Sequence, residues 1–201
     1  MNKLLSLSYK GDRAYIHGSD FFVALTEVAT EVTGHSDAFV ERLAFRCFAS
    51  SACEVTTMQP ADMSKVIGQA RFYLPAGMRQ VDVWLIKTDL VVTSRRPFDE
   101  HLLLAEASFN EVGRTSCLPA RSIYTPIEDV IALTKHLNYL VAPDVEGKWV
   151  FGQLDLVEPL IANYHQLEIQ MKNTIAGRFS VNEIVIDGRI IGTIRFIVAA
   201  K

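Results

Sequence analysis

Between Asp20 and Thr33 the apolar residues Phe21, Leu25, Val28, Ala29 and Val32 recur at intervals that place them on one helical face. Ser19 fits the N-cap and Gly34 the residue that stops the helix. From Phe39 to about Thr57, then from Val66 to Leu74 and Val81 to Val92, β-branched and aromatic residues take over. Val81, Val83 and Leu85 alternate with Gln80, Asp82 and Trp84, so these runs predict strands, the last two joined by a turn at Pro75-Ala76-Gly77.

The second half repeats the succession. Residues 101–113 predict a helix with Leu102, Ala105, Phe109 and Val112 on one stripe and Gly113 near its end. Thr125-Pro126-Ile127-Glu128 is a capping box with proline at the first helical position, and Ile127, Val130, Ile131, Thr134, Leu137 and Val141 continue a helical period to about Leu140. Strands follow at Trp149 to Val157 and Gln166 to Lys172. Two further runs meet at Asp187-Gly188, the strongest short signal for a hairpin.

Laid over one another, the halves correspond at an offset near 110 residues. Leu43–Thr57 faces Leu154–Gln170, Gly68–Phe72 faces Gly177–Phe179, and Gly77-Met78-Arg79 faces Gly188-Arg189-Ile190. The reading is an α+β chain built from an internal duplication, halves 1–92 and 93–201, with an extra helix near 126–140 that has no counterpart in the first half. That helix is expected to plug an open sheet edge rather than to cover a pocket as a lid. An unrelated α+β domain with chance strand likeness is the alternative.

Composition narrows the function classes. At 201 residues, 49% hydrophobic and 21% charged, the chain is long enough for a substantial core and far from the disordered range. Twenty Lys and Arg against 23 Asp and Glu give a net charge of −3, and with no basic block a nucleic-acid or anionic-membrane partner has no electrostatic basis. Arg95-Arg96 is left as a local anion site. Cys47, Cys53 and Cys117 form no CxxC and no zinc spacing with the five histidines, so no metal is expected. The absence of a signal-peptide core near the N-terminus and of a membrane-length apolar run makes a cytoplasmic location the expectation.

One helix followed by long antiparallel strands, repeated once, resembles the double hotdog, two long central helices wrapped by a curled antiparallel sheet. Leu154-Asp-Leu-Val-Glu-Pro159, Gln166-Leu-Glu-Ile, Gly177-Arg-Phe-Ser-Val and Ile186-Asp-Gly-Arg-Ile-Ile-Gly-Thr-Ile-Arg-Phe are similar to the closing strands of acyl-carrier dehydratases and acyl-CoA thioesterases. Arg96-Pro-Phe-Asp99-Glu-His101-Leu-Leu-Leu-Ala-Glu106-Ala is similar to the entry into the central helix of A-factor biosynthesis hotdog proteins. The resemblance implies an acyl-thioester enzyme of lipid, polyketide or signal-molecule biosynthesis. Its substrate is carried by acyl carrier protein or coenzyme A, with no other cofactor, in a monomer or homodimer. Dehydration and thioester hydrolysis are the first candidate reactions, acyl transfer stands behind them, and a non-catalytic acyl-binding or assembly module is the rival class.

The resemblance further implies two seam sites, one combining His17 and Asp20 with Glu106, Asn110 and Glu111, the other combining Asp99 and His101 with Glu27 and Glu31. Dehydration requires a base for the α-proton and an acid for the departing hydroxyl, which a histidine and a carboxylate supply. Hydrolysis requires a carboxylate to activate water, and both reactions gain from a helix N-terminus directed at the thioester oxygen. Each residue also has a plainer reading: Asp20, Asp99 and Glu100 as first-turn acids, Asn110 and Glu111 as surface polars, and Cys117 as a small filler.

Overall fold

The computed structural model describes residues 2–175 and 178–200, so the expected correspondence at Gly177 lies outside the described residues. The chain divides into two compact units, Met1–Phe98 and Asp99–Lys201. The boundary falls after residue 98 rather than 92 because Arg95-Arg96 pairs back into the first unit.

In the first unit, β1 (Asn2–Leu4) and β2 (Tyr9–Lys10) precede the helix α1 (Gly18–Thr33). The strands β3 (Phe39–Phe45), β4 (Cys53–Thr56), β5 (Val66–Leu74) and β6 (Arg79–Lys87) follow, with β7 (Arg95–Arg96) near the end. The antiparallel order is β1-β4-β6-β5-β3. β2 and β7 form a separate parallel pair in which Tyr9 faces Arg95 and Lys10 faces Arg96. The apolar face of α1, with Phe21, Phe22, Leu25, Val28 and Ala29, is buried together with Val40, Leu43, Val55, Phe72, Val83 and Leu85 of the strands. Each such Phe or Leu contributes roughly 2 kcal/mol through removal from water.

The second unit contains α2 (Glu100–Ala105), β8 (Ser108–Asn110), β9 (Thr115–Leu118), α3 (Pro126–Val141), β10 (Lys148–Leu156), β11 (Leu167–Ile175), β12 (Phe179–Ile186) and β13 (Arg189–Ala199). Its antiparallel order is β8-β9-β11-β12-β13-β10. The capping box at Thr125 opens α3, as its sequence predicts, with Glu128 Oε2 accepting from the Thr125 amide at 2.8 Å.

The chain departs from the expected elements in two places. Residues 101–113 do not form a long helix. Only Leu103 of α2 is buried, while Leu102 and Val112 of the expected stripe are 56% and 97% exposed and Phe109 packs from β8 against the His136 ring at 4.3 Å, so the stripe meets no common core. Beyond it, Asn110 Oδ1 accepts from the Gly113 amide at 2.8 Å and turns the chain into the β8–β9 hairpin. The helix at 126–141 is accordingly not an edge plug. It is the long helix of the second unit, 16 residues like α1, and ten of its residues are buried.

The duplication is likewise not exact. The middle hairpin is inserted in opposite senses: β4 pairs with β6 in the first unit, whereas β11 pairs with β12 in the second.

Candidate functional site

The densest cluster of buried polar groups in the first unit lies at the N-terminus of α1. The N-cap is His17, two residues before the expected Ser19, and Asp20 lies in the first turn. Ser19 does not cap the helix because its hydroxyl is engaged elsewhere: Ser19 Oγ accepts from Lys10 Nζ and lies 2.9 Å from His17 Nδ1. Lys10 is 0% exposed. Its ammonium stands 3.6 Å from Asp20 Oδ1 and 4.8 Å from the centre of the Phe98 ring.

Arg96, the register partner of Lys10, binds the same oxygen of Asp20 through Nε at 3.2 Å and also through Nη2. The β2–β7 pair thus brings two cations to one carboxylate. The Asp20 carboxylate and the Ser19 hydroxyl offset part of the cost of burying the lysine. Asp20 Oδ2 is buried and has no hydrogen-bond partner among the described residues. The cluster therefore offers an imidazole, an oriented carboxylate with an unused oxygen, and the Gly18 and Ser19 amides of a helix N-terminus, the Asp20 amide being taken by the His17 carbonyl at 3.0 Å.

The expected anion site at Arg95-Arg96 is engaged internally. Arg96 holds Asp20, while Arg95 Nη1 donates to the Gly11 and Arg13 carbonyls and its guanidinium lies 5.1 Å from the Tyr9 ring centre.

The other sequence candidates fall elsewhere. Glu27 and Glu31 are exposed on α1, and Glu31 pairs with Lys3 at 2.8 Å. In the second unit, Asp99 is the exposed N-cap of α2, its Oδ1 accepting from the His101 amide at 3.0 Å, and the His101 side chain is exposed. Glu106 is the exposed C-cap of that helix, and Asn110 caps the following turn in β8. Because α2 ends at Ala105, Glu106 and Asn110 do not share a helical face, contrary to the expectation. Glu111 is exposed in the same turn. Cys117 is half-buried in β9 and its Sγ accepts from Gln166 Nε2 at 3.1 Å.

A second buried group at the start of α3 has no precursor in the sequence reading. Asp129, 0% exposed, accepts from Ser122 Oγ at 2.5 Å through Oδ1 and from Tyr164 through Oδ2. Burial pushes the Asp129 carboxyl above its ordinary range against the lowering effect of those hydrogen bonds, and burial likewise pushes the Tyr164 phenol up. Asp129 ties the segments around Ser122 and Tyr164 to the helix. Among the described residues no three His, Cys, Asp or Glu side chains are arranged to hold a metal ion, and no helix is long and apolar enough to cross a membrane.

No protein-family model and no curated protein sequence matches the chain. Solved structures do. A protein assigned as a thioesterase from Novosphingobium aromaticivorans aligns over 100% of this chain and 94% of its own, with 14% identity and a TM-score of 0.50. A protein assigned as a thioesterase II from Thermobifida fusca covers 98% and 92% at 13% identity, also with a TM-score of 0.50. The TesB protein of Mycobacterium avium subspecies paratuberculosis covers 96% and 90% at 9% identity and 0.50. The chain therefore has a hotdog-like fold, extended antiparallel sheet with three helices among the described residues.

Proposed function

We propose that the chain is a double hotdog enzyme that processes an acyl thioester carried on coenzyme A or on the phosphopantetheine of an acyl carrier protein, and that hydrolysis is its reaction. The observation that carries this reading is Asp20 Oδ2, buried and without a protein partner among the described residues, in the same first turn as His17. The thioesterase assignment of two of the similar structures supports hydrolysis.

In the proposed reaction, Asp20 Oδ2 accepts a proton from a water molecule as the water oxygen attacks the thioester carbonyl carbon. The negative charge that develops on the carbonyl oxygen is held by the His17 imidazole N–H and by the first amides of α1. Collapse of the tetrahedral intermediate breaks the carbon–sulfur bond, and the proton held by Asp20 passes to the departing thiolate. Lys10 and Arg96 keep the carboxylate in one orientation throughout, so that it does not reorganise as the charge moves.

Intact-mass analysis tests this with saturated acyl, β-hydroxyacyl and enoyl thioesters on both carriers. The expected result is free carrier thiol plus carboxylic acid, formed about 100-fold or more slowly in His17→Ala. Loss of one water from the carrier-bound hydroxyacyl group would replace hydrolysis by dehydration. Acyl addition to the protein would replace it by transfer, and retention of unchanged ligand would make the chain an acyl-binding module.

A further inference from the structure

We propose that Lys10 and Ser19 are positioning residues that lock the neutral His17 ring in one tautomer, with Nδ1 as acceptor and the proton on Nε2. The proposal rests on the reading above only for its catalytic meaning. The tautomer itself follows from hydrogen-bond bookkeeping.

An ammonium group has three hydrogens and no lone pair, so Lys10 Nζ can only donate to Ser19 Oγ. Asp20 Oδ1 and the face of the Phe98 ring stand beside Nζ of this buried lysine, and both are partners for an ammonium group. One lone pair of the Ser19 oxygen is thereby filled, and its hydroxyl hydrogen must find an acceptor. Ser19 is itself fully buried, and the remaining group within hydrogen-bond distance is His17 Nδ1 at 2.9 Å.

If Nδ1 carried the proton, two donors would face the serine oxygen and the serine hydrogen would be stranded in the interior. A buried, unmade hydrogen bond is costly enough to bias the ring by about tenfold or more towards the form with Nδ1 bare. The order Lys10 to Ser19 to His17 therefore runs in one direction, and its end is an imidazole whose Nε2–H is a donor. That is the form the proposed reaction needs at the thioester oxygen. Lys10 reaches both components of the site, Asp20 directly and His17 through Ser19, from a two-residue strand outside the main sheet.

The test is the tautomer itself, read by long-range proton–nitrogen correlation on protein labelled with nitrogen-15 at histidine. It is run at a pH of about 8.5, above the ordinary imidazole pKa of about 6.5. The His17 signals are identified by their loss in His17→Gln. The expected result is an unprotonated Nδ1 and a protonated Nε2 in the parent protein, with a shift towards a mixture in Ser19→Ala and in Lys10→Met.

A protonated Nδ1 in the parent, or an unchanged ring in Ser19→Ala, would overturn the proposal. Ser19→Ala removes one oxygen from the first turn and preserves the buried Lys10–Asp20 pair, so it decides the matter even where Lys10→Met fails to fold. The measurement needs no turnover. A locked ring in an inactive protein would refute the enzymatic reading alone, and an unlocked ring in an active one would refute this proposal alone.

Discussion

At the scale of single residues, stability and activity separate within one turn of helix. Asp20 is the carboxylate that Lys10 and Arg96 share, and Lys10 has no solvent to fall back on. Asp20→Asn removes the carboxylate charge that Lys10 and Arg96 share and is expected to cost about 3–5 kcal/mol, the usual penalty for stripping one partner from a buried pair. Adding Lys10→Met to Asp20→Asn is expected to recover most of the loss.

His17 is half-buried, and its side chain makes no cap to the helix backbone. His17→Ala is expected to cost less than Asp20→Asn, because it removes a half-buried ring rather than a charge from a buried ion pair, while turnover falls about 100-fold or more. Urea titrations of the three variants check this, and equal losses for His17→Ala and Asp20→Asn would show that the cluster does not divide this way. The sequence exposes His17 and Asp20 because they sit where a helical period begins. It hides Lys10 and marks Arg96 only as a local anion site, since nothing local marks two dipeptides from opposite ends of a unit as a parallel pair.

At the scale of elements, glycines show where backbone contact rather than side-chain packing sets the geometry. Gly192 lies in β13 between β10 and β12, paired with Leu156 on one side and Ile184 on the other. A Cβ there would stand 2.2 Å from the Asp155 carbonyl oxygen and 2.9 Å from Leu156 Cα, and neither backbone atom can rotate away. Gly192→Ala is therefore expected to force β10 off β13 and to cost more than about 2 kcal/mol.

Gly188, in the turn with Asp187, has positive φ, but a Cβ added to it would meet nothing within 4 Å. Gly188→Ala should cost only about 1 kcal/mol, from backbone conformation alone. Denaturant midpoints compare the two, and the reverse order would mean that the turn rather than the strand contact sets the register.

That turn was fully legible, because Asp-Gly between apolar runs specifies local backbone angles. The helix expected at 101–113 was not. Leu102, Ala105, Phe109 and Val112 carry the right period, but a period stabilises a helix only when a core meets it, and Val112 meets solvent. The same blindness made α3 look supernumerary, since its burial against the second sheet is a tertiary fact.

At the scale of the whole molecule, the hotdog-like class could be read from the alternation of helix and long strands, because that order survives even where a strand pair is inserted in the opposite sense. The pH dependence of stability could not, because it comes from a carboxylate buried by the fold. Asp129 has a folded-state pKa raised above its ordinary value of 3.8, chiefly by burial. The folded chain thus binds this proton more readily than the unfolded chain does. The stabilisation this gives is fully present below pH 3.8 and is lost as pH rises through the raised value.

His136 acts in the opposite sense. Burial lowers its pKa below 6.5, so its contribution is present above that value and is lost as pH falls through the folded-state pKa. The parent curve alone mixes the two groups, and a difference curve separates them. Asp129→Asn cannot ionise, and its amide still presents one acceptor and one donor to the Ser122 and Tyr164 hydroxyls. Relative to the parent, this variant is expected to gain stability as pH rises from 3.8 and then to level off once the parent Asp129 is ionised. Urea midpoints from below pH 3.8 up to the level region read the difference directly. A flat difference would mean that Asp129 titrates alike in the folded and unfolded chains, and a falling one would mean that its hydrogen bonds to Ser122 and Tyr164 outweigh its burial.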